Sequence, residues 1–197
     1  MKKMYKIYSV LAIGAIMISV NTNAQHVNLG VKGGLNFYNI SNDNSSKYDM
    51  KTGIHLGLLG HIHLDKSIAV QPELVYSSQG AKFTSGGTDY KLKLGYINVP
   101  VMLQYMFNNG FRLEAGPQVG FLVSAKSEAA NKTIDVKSSF KTVDFAVGLG
   151  AGYIKPSTGL GVGLRYNVGL SNINENSSVK STNTGFQLSL FYQFKHK

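Results

Sequence analysis

Residues 160–170 read Leu-Gly-Val-Gly-Leu-Arg-Tyr-Asn-Val-Gly-Leu. Every even position is large and apolar, and every odd position is Gly, Arg or Asn. A strict period of two puts alternate side chains on opposite faces of a β-strand. One face of this strand is greasy throughout. The other is small or polar and carries a charge, Arg165, at its centre.

The same alternation recurs in 27–38, 53–64, 68–78, 90–107, 111–124, 142–154 and 185–195. Eight strands are therefore predicted after residue 25, with no helix among them. In 90–107 the apolar parity changes, from Leu92, Leu94 and Tyr96 to Ile97, Val99, Val101, Leu103 and Tyr105. That switch predicts a bulge near Gly95.

The connections alternate in length. Those after the first, third, fifth and seventh strands are long (41–50, 79–89, 125–141 and 171–184) and rich in Ser, Asn, Lys and Asp. Those after the second, fourth and sixth are short: 65–67, 108–110 and 155–159. Short turns at one end and long loops at the other, with an even strand count, are the pattern of an outer-membrane barrel. The alternative is a soluble eight-stranded ligand carrier. A carrier would show water a face dense in Lys and Glu. Here the less apolar face is mostly Gly, Ala, Ser, Asn and Gln. Its mid-strand charges are Lys32, Glu73, Arg112, Glu114, Asp144 and Arg165, three of each sign. Balanced charges suit a narrow lumen in which they must pair. Aromatics on the apolar parity fall into two sets. Phe37, Tyr76, Phe121, Phe145 and Phe186 lie near the long-loop ends, and Tyr105, Phe111, Tyr153, Tyr192 and Phe194 near the short turns. Two such rings mark the two interfaces of a bilayer. The expected fold is all-β, an eight-stranded antiparallel up-and-down transmembrane β-barrel.

Residues 1–24 read as an export address rather than as part of the barrel. Lys2, Lys3 and Lys6 precede an uncharged apolar run from Val10 to Val20, and Ala24 offers a small residue at a cleavage site. This is the layout of a signal peptide, and the run is short for a membrane span of ~20 residues. The barrel domain is then 25–197. The whole chain has 20 Lys and Arg against 10 Asp and Glu, a net charge of +10 that superficially suggests nucleic acid. Three of the lysines leave with residues 1–24, so the remainder carries 17 against 10, or +7. An exported barrel does not meet cytosolic nucleic acid. With no Cys, disulfides and thiol chemistry are excluded.

Several motifs together carry a family resemblance. They are Gly30-Val31-Lys32-Gly33-Gly34-Leu35-Asn36, Tyr96-Ile97-Asn98-Val99-Pro100-Val101 and Ala115-Gly116-Pro117-Gln118-Val119-Gly120. Asp144-Phe145 leading into Gly148-Leu149-Gly150-Ala151-Gly152, and Arg165-Tyr166 with Gly169-Leu170 and Asn172-Ile173, complete the set. The chain resembles the small outer-membrane β-barrel domains of Bacteroidota-type bacteria, loosely called "porin family" or PorT-like. The resemblance spans essentially the whole of 25–197. It departs at Asn98, where the family often has an acid, and at the Lys195-His196-Lys197 tail after the terminal aromatic Phe194. It implies outer-membrane localisation, a barrel-assembly machinery that reads Phe194, and, in its PorT-like form, an accessory role in protein secretion.

Catalytic, cofactor and metal signals are slight. Gly148-Leu149-Gly150-Ala151-Gly152 lacks the Lys-Ser/Thr and the strand-to-helix setting of a phosphate loop. His61 and His63 share a face and His26 opens the first strand, a set that could hold zinc or copper but reads first as a polar plug at the periplasmic mouth. A lipid A-modifying enzyme would need an activated cluster near the outer rim. His55, Asp43 and Asp49 are the residues there, with no serine motif. The expectation is a cofactor-free, non-catalytic barrel with a structural, surface-interaction or adhesion role through its outer loops. The six lumenal charges would form an ion-pair network. The excess of loop lysines faces outer-membrane lipid and lipopolysaccharide.

Overall fold

The computed structural model describes residues 27–42, 48–130, 132–176 and 180–194. The expected export segment 1–24, His26, Asp43 and the 195–197 tail lie outside them. The strands are β1 (Val27–Asn42), β2 (Asp49–His63), β3 (Ile68–Ser85), β4 (Thr88–Met106), β5 (Phe111–Ala129), β6 (Lys132–Asp135), β7 (Val143–Ile154), β8 (Leu160–Gly169) and β9 (Ser181–Gln193). All pairings are antiparallel between chain neighbours, apart from two: β1 pairs with β9, and β5 skips β6 to reach β7. The β1–β9 pairing closes a ring of eight, the number that the alternation predicts. β6 is a ninth strand outside the ring, paired to the outer end of β5.

The ring is inside-out relative to a soluble protein. Leu29, Leu56, Leu58, Leu74, Leu103 and Leu190 point outward and are exposed, Leu190 at 62%. Lys32, Glu73, Gln104 and Arg165 on the opposite parity are buried. A soluble carrier needs the reverse, so the carrier alternative falls. Only hydrocarbon makes an outward apolar wall of this size stable, and a closed barrel leaves no backbone edge unpaired within it.

Strands β3, β4 and β5 are 18, 19 and 19 residues long. At about 3.3 Å per residue they overrun the ~25 Å apolar band of such barrels, even when tilted by about 40°. The excess rises from the outer end. The 79–89 segment, expected as a loop, is therefore mostly strand, turning on Gly86-Gly87 alone. Both glycines have positive φ, 57° and 75°, which a two-residue hairpin turn of this hand requires.

The parity switch in β4 has a different cause from the one the sequence suggests. A register shift does occur between Gly95 and Tyr96, but the extra residue is Val123 on β5, since Gly95 faces Ser124 and Tyr96 faces Leu122. β4 keeps its alternation: Leu92, Leu94, Tyr96, Asn98, Met102 and Gln104 are all buried on the inside. What changes is the surroundings. Below Gly95 the outside is lipid and the inside is polar. Above it the outside is water, and the inside is an apolar core of Ile40, Ala81, Leu92, Leu94, Tyr96, Leu122, Ala125 and Ile173. Tyr48, Val136 and Phe140 from the outer loops pack on that core and seal the mouth. The hydrophobic inversion along one strand thus records where it leaves the membrane.

Candidate functional site

The polar lumen is built around one arginine. Arg165, central in β8, donates to Glu73 on β3 through both terminal nitrogens, Nη2 to Oε1 at 2.8 Å and Nη1 to Oε2 at 3.0 Å. Its Nε donates to Glu114 Oε1 on β5 at 2.6 Å. Lys32 Nζ on β1 donates to Glu73 Oε2 at 2.9 Å. Two amides complete the carboxylates: Gln71 donates to Glu73 at 2.8 Å and Gln104 to Glu114 at 2.9 Å. A bidentate guanidinium on a Glu73 carboxylate that accepts four hydrogen bonds, with each oxygen of Glu114 also engaged, is what makes a desolvated ion cluster tolerable.

The glycines of β7 make this cluster possible. A Cβ at Gly148 would stand 3.2 Å from Arg165 Cδ, and one at Gly150 would stand 2.8 Å from Glu114 Oε1. The Gly148-to-Gly152 run is therefore the recess in the wall that receives these side chains.

The other two lumenal charges stand apart from the four. Asp144 lies at the outer end of β7, where its Oδ1 accepts from Ser171 Oγ at 2.6 Å. Arg112 lies towards the short turns. It touches the cluster only by donating from Nη1 to Gln104 Oε1 at 3.3 Å, and its guanidinium carbon sits 5.5 Å from the ring centre of Phe191. No carboxylate among the described residues lies within ion-pair distance of it.

His55 is inside the barrel rather than at the outer rim. Its Nδ1 lies 2.8 Å from Asn36 Oδ1 and its Nε2 lies 2.9 Å from Ser189 Oγ. The Asn36 amide nitrogen donates to Ser77 Oγ and to the carbonyls of Ile54 and Ser78, so its oxygen faces the imidazole and can only accept. The ring proton is thus on Nδ1, and Nε2 accepts from the Ser189 hydroxyl. Both ring nitrogens are engaged by neutral partners, and among the described residues no carboxylate hydrogen-bonds the ring. His61 and His63 lie together at the periplasmic mouth, ring centres 4.6 Å apart and perpendicular. No group of three or more metal-ligating side chains exists among the described residues.

One feature escaped the sequence reading. Above the outer aromatics, Lys82 on β3 faces Lys91 on β4 directly, and Lys93 on β4 faces Lys126 on β5. All four point away from the apolar core, forming a staggered block across β3, β4 and β5 on the outer wall. Three acids interleave with it: Asp49 faces Lys82, Glu128 faces Lys91 and Asp135 faces Lys126, so the four cations outnumber their acidic neighbours by one. Glu128 pairs with Lys93, whose ammonium holds the carboxyl below its usual range. Lys51 sits inside the same extension, beyond Phe37. Burial, followed by repulsion from Lys91, Lys93 and Lys82, pushes it down to about 8. Strand pairing knowledge was the missing signal, because the four lysines are scattered over 45 residues of sequence.

A family model described as "Outer membrane protein beta-barrel domain" matches residues 23–175. Among solved structures, Neisserial surface protein A is similar at a TM-score of 0.56 and 14% identity, over 86% of this chain and 99% of that one. Ail, the attachment invasion locus protein of Yersinia pestis, is similar at a TM-score of 0.50 and 15% identity, over 85% and 98%. Its complex with the heparin analogue sucrose octasulfate gives 0.52 and 14%, over 86% and 99%. At such identities these likenesses concern the fold alone. No curated protein sequence matches the chain.

Proposed function

Since this chain belongs to the outer membrane protein β-barrel domain family, we propose that it is a non-catalytic surface protein of the outer membrane that works through its outer wall. There its lysine block grips the phosphates of lipopolysaccharide. The observation that carries this reading is the pair of like-charged cross-strand contacts, Lys82–Lys91 and Lys93–Lys126, directly above the lipid-facing belt. Like charges directly opposite each other weaken a sheet, and the neighbouring acids Asp49, Glu128 and Asp135 offset only part of that cost. An anionic glycolipid layer at that height converts the local cost into attraction, about 1 kcal/mol per lysine near an anionic lipid surface.

The lumen supports the same division of labour. Beside the ion cluster lies a cavity of about 20 Å³, room for little more than one water. The outer mouth is filled by the apolar core. Transport through the barrel is therefore no part of the proposal. The loops beside the block would carry adhesion, or the secretion accessory role that the PorT-like resemblance implies. Export by removal of 1–24 and recognition of Phe194 by the assembly machinery belong to the same proposal.

The test is retention of the folded protein on lipopolysaccharide-containing vesicles across a salt series. The wild type should be retained at low salt and released as salt rises. The quadruple Lys82→Gln, Lys91→Gln, Lys93→Gln, Lys126→Gln variant should lose that salt-sensitive retention while keeping the heat-modifiable migration of a folded barrel. Equal retention of the two proteins would sink the proposal.

A further inference from the structure

The periplasmic end of the lumen holds an unbalanced cation. The buried ionic residues of the central and periplasmic lumen are Lys32, Arg112 and Arg165 against Glu73 and Glu114, three positive and two negative. Both carboxylates are committed to Arg165 and Lys32. Asp144 cannot serve, because it lies eight residues along β7 from Gly152, the residue that faces Arg112. Arg112 is only 5% exposed, and its Nε has no partner. A desolvated charge left in that condition is costly unless something neutralises it.

Arg112 lines a cavity of about 310 Å³ that opens among the short turns. His61, His63, Lys66 and Gln193 line the same cavity, and among the described residues no carboxylate does. The buried His61 Nδ1, His63 Nδ1 and Gln193 Nε2 are without partners, like Arg112 Nε. Two unanswered N–H donors, Arg112 Nε and Gln193 Nε2, and two imidazoles that can each present one, beside a fixed positive charge and walled by Met106, Phe107 and Ile154, have the chemistry of an oxyanion receptor. We propose that the periplasmic mouth binds a carboxylate or phosphate group, held by the Arg112 guanidinium, the Gln193 amide and the His61 and His63 imidazoles, with Lys66 at the entrance. The bound anion completes the lumenal charge balance that the described acids leave short by one.

Arginine side-chain NMR of the protein folded in a zwitterionic detergent tests this. Sodium phosphate and sodium acetate are titrated separately against chloride at constant ionic strength. The Arg112 Nε–H signal should move saturably with at least one of them, while that of Arg165, already paired, stays in place. Read on the His61 and His63 ring signals, Arg112→Gln should weaken binding at least tenfold. Gln193→Ala, which leaves all charges in place, should weaken it about threefold. Absence of saturable movement at Arg112 with both anions would overturn the proposal. So would an unchanged binding midpoint in Arg112→Gln, or in Gln193→Ala should the former not fold. The outer lysine block takes no part in these readings, so this inference stands or falls apart from it.

Discussion

Replacing Arg165 with Met is expected to lower the unfolding free energy of the barrel by about 3–5 kcal/mol, the usual cost of breaking a buried ion pair from one side. The guanidinium spends three nitrogens on two carboxylates, Glu73 and Glu114, both enclosed by the wall. Met fills much of the volume and none of the charge. Glu73 then keeps only Lys32 and Gln71, and Glu114 only Gln104. The accompanying triple change Arg165→Met, Glu73→Gln, Glu114→Gln should recover most of the loss, because it removes the orphaned charges along with their partner. Urea unfolding of the protein in lipid vesicles, followed by heat-modifiable migration, reads both. A single variant as stable as wild type would mean that the cluster contributes nothing to holding the strands in register.

The second large effect concerns the outer surface. Leu58 is midway along the outward face of β2, 59% exposed and flanked by Val31 and Leu74 on the adjoining strands. Leu58→Arg should cost about 2–4 kcal/mol, as a cation on the lipid face near the midplane does. Ser41→Arg, on the outward parity of β1 beyond the aromatic ring, should cost no more than about 1 kcal/mol. The contrast is the useful quantity. In a water-soluble barrel both substitutions would sit on a wet surface and both would be nearly neutral.

How much of this is legible without coordinates depends on what each feature rests upon. The alternation in 160–170 needs only the strand period, and the inside-out sense of the barrel follows from Gly and Arg sharing one face of it. β6 is a different case. Four exposed residues, Lys132–Asp135, have no face to bury and so leave no periodic trace. The outer core was visible as the Leu92, Leu94 and Tyr96 parity. It was readable as a bulge or as a change of surroundings, and only the strand register separates the two. Arg112 and Arg165 look alike in sequence, each an arginine on the inward parity of a strand. Which of them meets the acids is decided by how Glu73, 92 residues from Arg165, comes round the ring. The lysine block has the same origin, since cross-strand neighbours are set by register and not by spacing.

The central claim is that β4 crosses from membrane to water near Gly95 while its inward face stays shielded throughout. The chain has no cysteine, so single-cysteine spin labels can be placed one at a time along residues 91–105 without removing a native thiol. In lipid vesicles, labels at 97, 99, 101, 103 and 105 should be relaxed by oxygen and not by a water-soluble nickel complex. Labels at 91 and 93 should show the reverse, and those at 92, 94 and 98 should respond weakly to both. Strong nickel relaxation at 101 and 103 would contradict a transmembrane barrel, whatever the number of strands.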